Sequence, residues 1–227
     1  MAIRIVSLME PVTRLVLVRH GESRATVDRM VGGHDGCRGL TERGMRQAQA
    51  LADRLVRTGE LADASMLFTS VLPRAIETAE IVAPALGGLK VSQDCNFCEL
   101  HVGAADALLP WVEFEKRYQP EEHRHDRFRP AAPGAESWAT FFARVGTALA
   151  GVAAEHPGAT VVIVSHGGVI EASLIALGNL PLHRSFDLAI GNTSLTEWTS
   201  PAGVETRERR WTLVRVNDTA HLADVSR

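Results

Sequence analysis

Two runs of aliphatic residues, Leu15-Val16-Leu17-Val18 and Val161-Val162-Ile163-Val164, pass directly into a polar group built around histidine: Arg19-His20-Gly21 in the first case, Ser165-His166-Gly167-Gly168 in the second. Runs apolar on every side chain, rather than on alternate ones, suit strands covered on both faces, as a parallel sheet between helix layers demands. Ligands of open α/β sheets gather at the carboxyl ends of the strands. The two histidines are therefore expected to share one site. Glycine beside each lets backbone approach a bound oxyanion closely, and Gly167-Gly168 opens a helix whose amino end favours negative charge.

The rest of the chain alternates in the same manner. Thr41 stands at an N-cap position before Ala48, Leu51, Leu55 and Val56 at helical spacing, and Gly59 marks the stop. Met66-Leu67-Phe68-Thr69 reads as a strand, and Pro73 is tolerated early in the helix that follows. Ser137 opens a helix through Phe141, Val145, Leu149 and Val152, and a further helix runs from about Val169 to Leu177. Ser194 to Thr199 and Trp211 to Val216 suit edge or antiparallel strands. The pattern predicts an α/β fold, a three-layer α/β/α sandwich with a mainly parallel central sheet. Residues 1–12 read as an N-terminal extension and 13–227 as a single domain, with loop and short helix from Val91 to Pro133 and an inserted flap around 104–132.

Composition narrows the function classes. The 227 residues are 45% hydrophobic, enough for one sizeable core. A net charge of -3, with acidic and basic residues interspersed, provides no basic stripe for nucleic acid. Apolar runs fall far short of the ~18 residues of a membrane span, so no membrane partner is expected. Three cysteines and no signal-like start predict a cytoplasmic protein. Cys95 and Cys98 have the spacing of half a zinc site, with His101 as a third ligand. A second cysteine pair is absent and Cys37 is distant, so unpaired thiols and no metal are expected. His123 and His125 read as solvated flap residues.

Six ordered motifs carry a resemblance. LVLVRHG from Leu15 to Gly21, followed by Glu22-Ser23, comes first. Next are Gly39-Leu40-Thr41-Glu42-Arg43-Gly44 with Gln47-Ala48, and Ser70-Val71-Leu72-Pro73-Arg74-Ala75 with Thr78-Ala79. Pro133-Gly134-Ala135-Glu136-Ser137, Val164 to Gly168, and Asn192-Thr193-Ser194 complete the pattern. Across roughly residues 13 to 216 the chain resembles the histidine phosphatase (phosphoglycerate mutase-like) superfamily. The resemblance implies His20 as nucleophile, Glu99 as the acid, and Ser23 as a substrate contact, although a helix-start serine is as ordinary a reading of Ser23.

The chemistry asks for these residue types. A phosphomonoester carries nearly two negative charges, and Arg19 and Arg74 supply planar cationic forks that match its oxygens. His20 must present an unprotonated nitrogen in line with the leaving oxygen, its other nitrogen held by an acceptor such as a backbone carbonyl. His166 adds a donor, and the amides near Gly21 and Gly167 complete the cradle. Glu99 donates to the leaving alkoxide and then activates water. No cofactor is called for, and the expected partner is a small phosphorylated metabolite.

The mutase branch is an alternative, yet Glu99-Leu100-His101-Val102-Gly103 lacks the Glu-Arg-His-Tyr-Gly of mutases. Arg124 and Arg127 are not the adjacent pair mutases use for carboxylates, and Ala25 and Thr26 replace the family's common tryptophan and asparagine. A catalytically silent phosphate-binding scaffold is the second alternative. An exposed C-terminal strand edge could support a homodimer.

Overall fold

The computed structural model describes residues 11–106, 109–123, 126–183, 186–203, 210–223 and 225. Residues 1–10 of the expected N-terminal extension, together with Arg124 and His125, lie outside them. The elements are β1 (Val12–Arg19), α1 (Arg24–Val27), α2 (Glu42–Thr58), β2 (Ala64–Thr69), α3 (Pro73–Val82), β3 (Val91–Gln93), α4 (Trp111–Tyr118), α5 (Trp138–Glu155), β4 (Thr160–Ser165), α6 (Gly167–Ala176), β5 (Leu195–Pro201) and β6 (Thr212–Asp218). They build a six-stranded sheet in the order β3-β2-β4-β1-β5-β6. The first four strands in that order run parallel, β5 runs antiparallel to β1, and β6 runs antiparallel to β5. The mainly parallel α/β sandwich expected from the sequence is the fold observed.

Alternation along the central strands sorts the core into two layers. Leu15, Leu17, Val161 and Ile163 face α5 and α6, packing against Phe141, Val145, Leu149 and Ile170. Val16, Val18, Val162 and Val164 face α2 and α3, against Leu51, Leu55, Ala79 and Val82. Each such leucine withdrawn from water contributes about 1.5–3 kcal/mol. All six residues of β4 are buried.

Local chemistry sets the helix ends. The Thr41 side chain accepts from the Gly44 amide, and Gly59 closes α2 with φ 65°, a left-handed conformation that glycine adopts without penalty. Ser137 and Thr140 form a reciprocal capping box on α5. One expectation needs correction: Val91–Gln93, assigned to loop, is an edge strand parallel to β2. Three residues are too few to show alternation. Within the expected insertion, Phe114 of α4 packs with Val31, Ala105, Ala131 and Ala132 in a small core of its own. Among the described residues no helix is long and apolar enough to cross a membrane.

Candidate active site

The sheet order alone assembles the site. Arg19 pairs in register with Ser165, so the next residues, His20 and His166, emerge side by side from adjacent strands. Their rings meet edge-on with centroids 5.2 Å apart. Thr69 pairs with Val164, which sets Ser70 beside His166, and the following helix delivers Arg74. Glu99 comes from the segment after β3, so the four parallel strands supply the site from their carboxyl ends.

His20 has a defined tautomer. Its Nδ1 lies 2.6 Å from the Gly21 carbonyl oxygen, which can only accept, so Nδ1 carries the hydrogen. Nε2 then keeps its lone pair, toward which Arg74 Nε donates at 3.1 Å. Burial, then the Arg74 and Arg19 guanidiniums, hold His20 well below the usual histidine range. His166 is held low by burial, then by Arg74. Its Nε2 sits 2.7 Å from Ser70 Oγ. Because Ser70 Oγ already accepts the Leu72 amide, its hydroxyl hydrogen is free to donate to Nε2. That assignment leaves the proton of neutral His166 on Nδ1, which is buried and has no protein partner.

Beside His20 opens a cavity of about 360 Å³, lined on one side by Arg19, His20, Arg74 and Glu99. Its other walls include Met30, Val31, Leu100, Val102, Trp111 and Trp138. Arg19 Nη1 donates to the Ile190 carbonyl, whereas its Nε is buried without a partner. Two buried donors without protein acceptors, Arg19 Nε and His166 Nδ1, thus flank the nucleophile candidate, as an anion site requires. His166 itself does not line the cavity.

Two glycines meet partners that are distant in the sequence. Gly21 donates its amide to Thr78 Oγ1 and does not line the cavity. A Cβ there would stand 2.4 Å from the Gly44 carbonyl, so Gly21 is needed for close passage of α2. At the start of α6 the Gly168 amide donates to Glu99 Oε2 at 3.1 Å. The amino end of α6 therefore already engages the Glu99 carboxyl group. Gly167 does line the cavity. Ser23 lines the cavity and caps α1, its side chain accepting from the Thr26 amide at 3.3 Å. The other carboxylates near the loop are committed elsewhere: Glu22 pairs with Arg43 at 2.6 Å, and Asp106 accepts from the amides of Asp35 and Gly36.

Several supporting residues carried no assigned role in the sequence. Thr78 receives the Gly21 amide, Gln47 receives the Glu22 amide at 2.8 Å, and Asn192 Nδ2 donates to the His20 carbonyl at 3.0 Å. All three lie in quoted motifs, which was the available signal. Ser70 was visible as a motif position, its bond to His166 only through the sheet order.

The chain is similar to known proteins along most of its length. The family model of the histidine phosphatase superfamily (branch 1) matches residues 15–219. Phosphoserine phosphatase 1 of Hydrogenobacter thermophilus is 31% identical over 216 residues, covering 93% of this chain and 95% of that one. The probable phosphoglycerate mutase GpmB of Yersinia enterocolitica is 31% identical over 219 residues, covering 92% and 94%. Among solved structures, the native mycobacterial glucosyl-3-phosphoglycerate phosphatase superposes with a TM-score of 0.76 at 29% identity, covering 91% of this chain and 99% of that one.

Proposed function

Since this chain belongs to the histidine phosphatase superfamily (branch 1), we propose that it hydrolyses a small phosphomonoester through a phosphohistidine on His20. The observation that carries this reading is the His20 imidazole: neutral, with Nδ1 fixed by the Gly21 carbonyl and the Nε2 lone pair facing the Arg74 guanidinium at the cavity. On substrate arrival Arg74 Nε exchanges the imidazole for a phosphate oxygen. The Nε2 lone pair forms the N–P bond as the ester P–O bond breaks. Glu99, entering protonated, gives its proton to the leaving alkoxide. A water oxygen then attacks phosphorus, the N–P bond breaks back onto Nε2, and Glu99 takes the water's proton. Arg19 Nε and His166 Nδ1 donate hydrogen bonds to the equatorial oxygens throughout, the charge being offset by the Arg19 and Arg74 guanidiniums.

The test is chemical. Wild-type enzyme quenched in acid after mixing with substrate carries acid-labile phosphate on His20, and His20→Ala abolishes turnover while remaining folded. Full activity in that variant, or phosphate only on serine, overturns the mechanism.

Leu100 and Val102, where mutases present donors, form part of the apolar cavity wall, which favours hydrolysis over mutase-type transfer. The same wall bears on the substrate. Among the described lining residues the cations are Arg19 and Arg74, both beside His20. Arg127 sits 5.5 Å from the Trp138 ring centroid and does not line the cavity. Although relatives are named for phosphoserine and glucosyl-3-phosphoglycerate, whose substrates carry carboxylates, this cavity favours an ester whose organic part is uncharged. In a panel of phosphorylated metabolites, uncharged esters give higher kcat/KM than phosphoserine or 3-phosphoglycerate. The reverse order sinks the substrate assignment and leaves the phosphohistidine test untouched.

A further inference from the structure

Away from His20, a second constellation forms where the sequence pointed to three candidate ligands and stopped. Cys95 and Cys98 flank a 3-10 turn just after β3, and His101 follows on the same loop. The loop between α1 and α2 brings His34 to the same point. One ligand atom from each of the four residues lies within 4.8 Å of the other three. Cys95 Sγ is 3.4 Å from His34 Nε2 and 3.5 Å from His101 Nε2, and Cys98 Sγ is 3.9 Å from His34 Nε2. A tetrahedral ion with bonds of about 2.3 Å to sulfur and 2.0–2.1 Å to nitrogen has sulfur–nitrogen edges of about 3.6 Å. The sulfurs are 2.7 Å apart, longer than a disulfide bond and shorter than the sulfur–sulfur edge of about 3.8 Å around such an ion, so binding would spread them by about 1 Å.

We propose that His34, Cys95, Cys98 and His101 form a structural binding site for a zinc-class divalent cation. The chemistry balances. Two thiols each lose a proton on binding, two neutral imidazoles donate lone pairs, and the dication with two thiolates is neutral overall. Four protein ligands leave no open position for substrate or water, which marks a structural rather than a catalytic ion.

The surroundings support the ligands. Glu136 Oε2 accepts the His101 amide at 3.0 Å and lies 3.8 Å from His101 Nδ1, placed to orient a ligating imidazole. Arg144 bonds Glu136 and also donates to the carbonyls of Cys95, Asn96 and Cys98, fixing the turn that presents both sulfurs. On the opposite side, Asp106 accepts from the amides of Asp35 and Gly36, holding the loop around His34. A disulfide between the two cysteines accounts for neither converging imidazole. Glu99 lies between Cys98 and His101, so the ion would tie the loop carrying Glu99 to the one carrying Gly32 and Gly33. This consequence for catalysis rests on the phosphatase reading, whereas the site itself does not.

Cobalt(II) reports the site without reference to turnover. Reduced, untagged, full-length protein titrated anaerobically with cobalt(II) should bind one equivalent, with thiolate charge-transfer bands and the strong visible bands of tetrahedral cobalt. Zinc should displace it. Cys95→Ser removes a sulfur and should cut the charge-transfer intensity and the affinity. His34→Ala, at an exposed position that the fold tolerates, should weaken binding while circular dichroism stays unchanged, and Glu136→Gln, with all four ligands intact, should weaken it about tenfold. A weak octahedral spectrum, no bound equivalent, or binding unaffected by His34→Ala overturns the proposal. So does recovery of Cys95 and Cys98 as a disulfide that, once reduced, takes up no cobalt.

Discussion

Arg74 does two things that a lysine cannot combine. Its Nε reaches the His20 ring, and its Nη1 donates to the Gly32 carbonyl at 2.7 Å, so the fork is held in one orientation before any phosphate arrives. An ammonium of similar reach is a point charge without that geometry. Arg74→Lys is accordingly expected to lower kcat/KM by about 10²-fold or more, with vanadate inhibition weakening in parallel. Unchanged vanadate affinity would place Arg74 outside the phosphate site. Glu99 is tested by its leaving group. Positioned proton transfer is typically worth about 10²–10⁴-fold, which an alkyl phosphate needs and p-nitrophenyl phosphate, with its stable phenolate, does not. Glu99→Gln should leave the first-turnover burst near normal with p-nitrophenyl phosphate and strongly slow it with an alkyl phosphate. Equal slowing of both, or of neither, removes Glu99 as the acid. The sequence made His20 and its carbonyl-held nitrogen legible, because a strand end fixes what the adjacent backbone can reach. It could not show that the Glu99 carboxylate docks on the Gly168 amide, a contact across 69 residues of chain.

At the scale of elements, the start of α6 joins Glu99 to His166, the neighbour of His20. A Cβ on Gly168 would stand 2.1 Å from Glu99 Oε1 and 3.0 Å from the Phe141 ring, so Gly168→Ala must push the carboxylate aside. Alanine is the better helix former, and the crowding costs about 1–3 kcal/mol, a loss the fold should survive. The variant is expected to reproduce the substrate-dependent burst defect of Glu99→Gln while still melting cooperatively. A Gly168→Ala enzyme with a normal alkyl phosphate burst would mean that Glu99 does not work from this position. Helix starts and stops at Thr41, Gly59, Pro73 and Ser137 were readable because caps are local chemistry. β3 was not, since its three residues are defined by partners on β2. The glycines announced close approach without naming the partner: α2 backbone for Gly21, and Glu99 for Gly168. His34 escaped notice for the same reason, its link to Cys95 and His101 being made only when two loops fold over one sheet edge.

Across the whole molecule, placing two imidazoles at the centre of the sheet ties the active-site electrostatics to global stability. His20 and His166 are held neutral in the folded state by burial first and then by Arg74, whereas in the unfolded chain each titrates near about 6.5. Below that pH the unfolded chain takes up protons that the folded protein refuses. Stability contributed this way is fully present above about pH 6.5 and is lost as pH falls, by about 1.4 kcal/mol per pH unit for each histidine. Glu60, Asp63, Glu136 and Asp218 are held below the usual carboxylate range and act in the same direction. They do so only near their own unfolded values of about 4, so the window from about pH 5 to 6.5 belongs to histidine. His101 is also lowered by burial, and His221 is pushed down to about 4 by burial and then Arg54, so both add to the wild-type slope. Comparing wild type with His20→Gln isolates one group, since glutamine can still accept from Arg74 but cannot titrate. Urea unfolding measured across that window should give the variant a shallower dependence of unfolding free energy on pH, by a difference that grows to about 1.4 kcal/mol per unit at its acid end. Identical slopes would mean that His20 is protonated in the folded enzyme at these pH values, and a protonated imidazole has no lone pair with which to attack phosphorus.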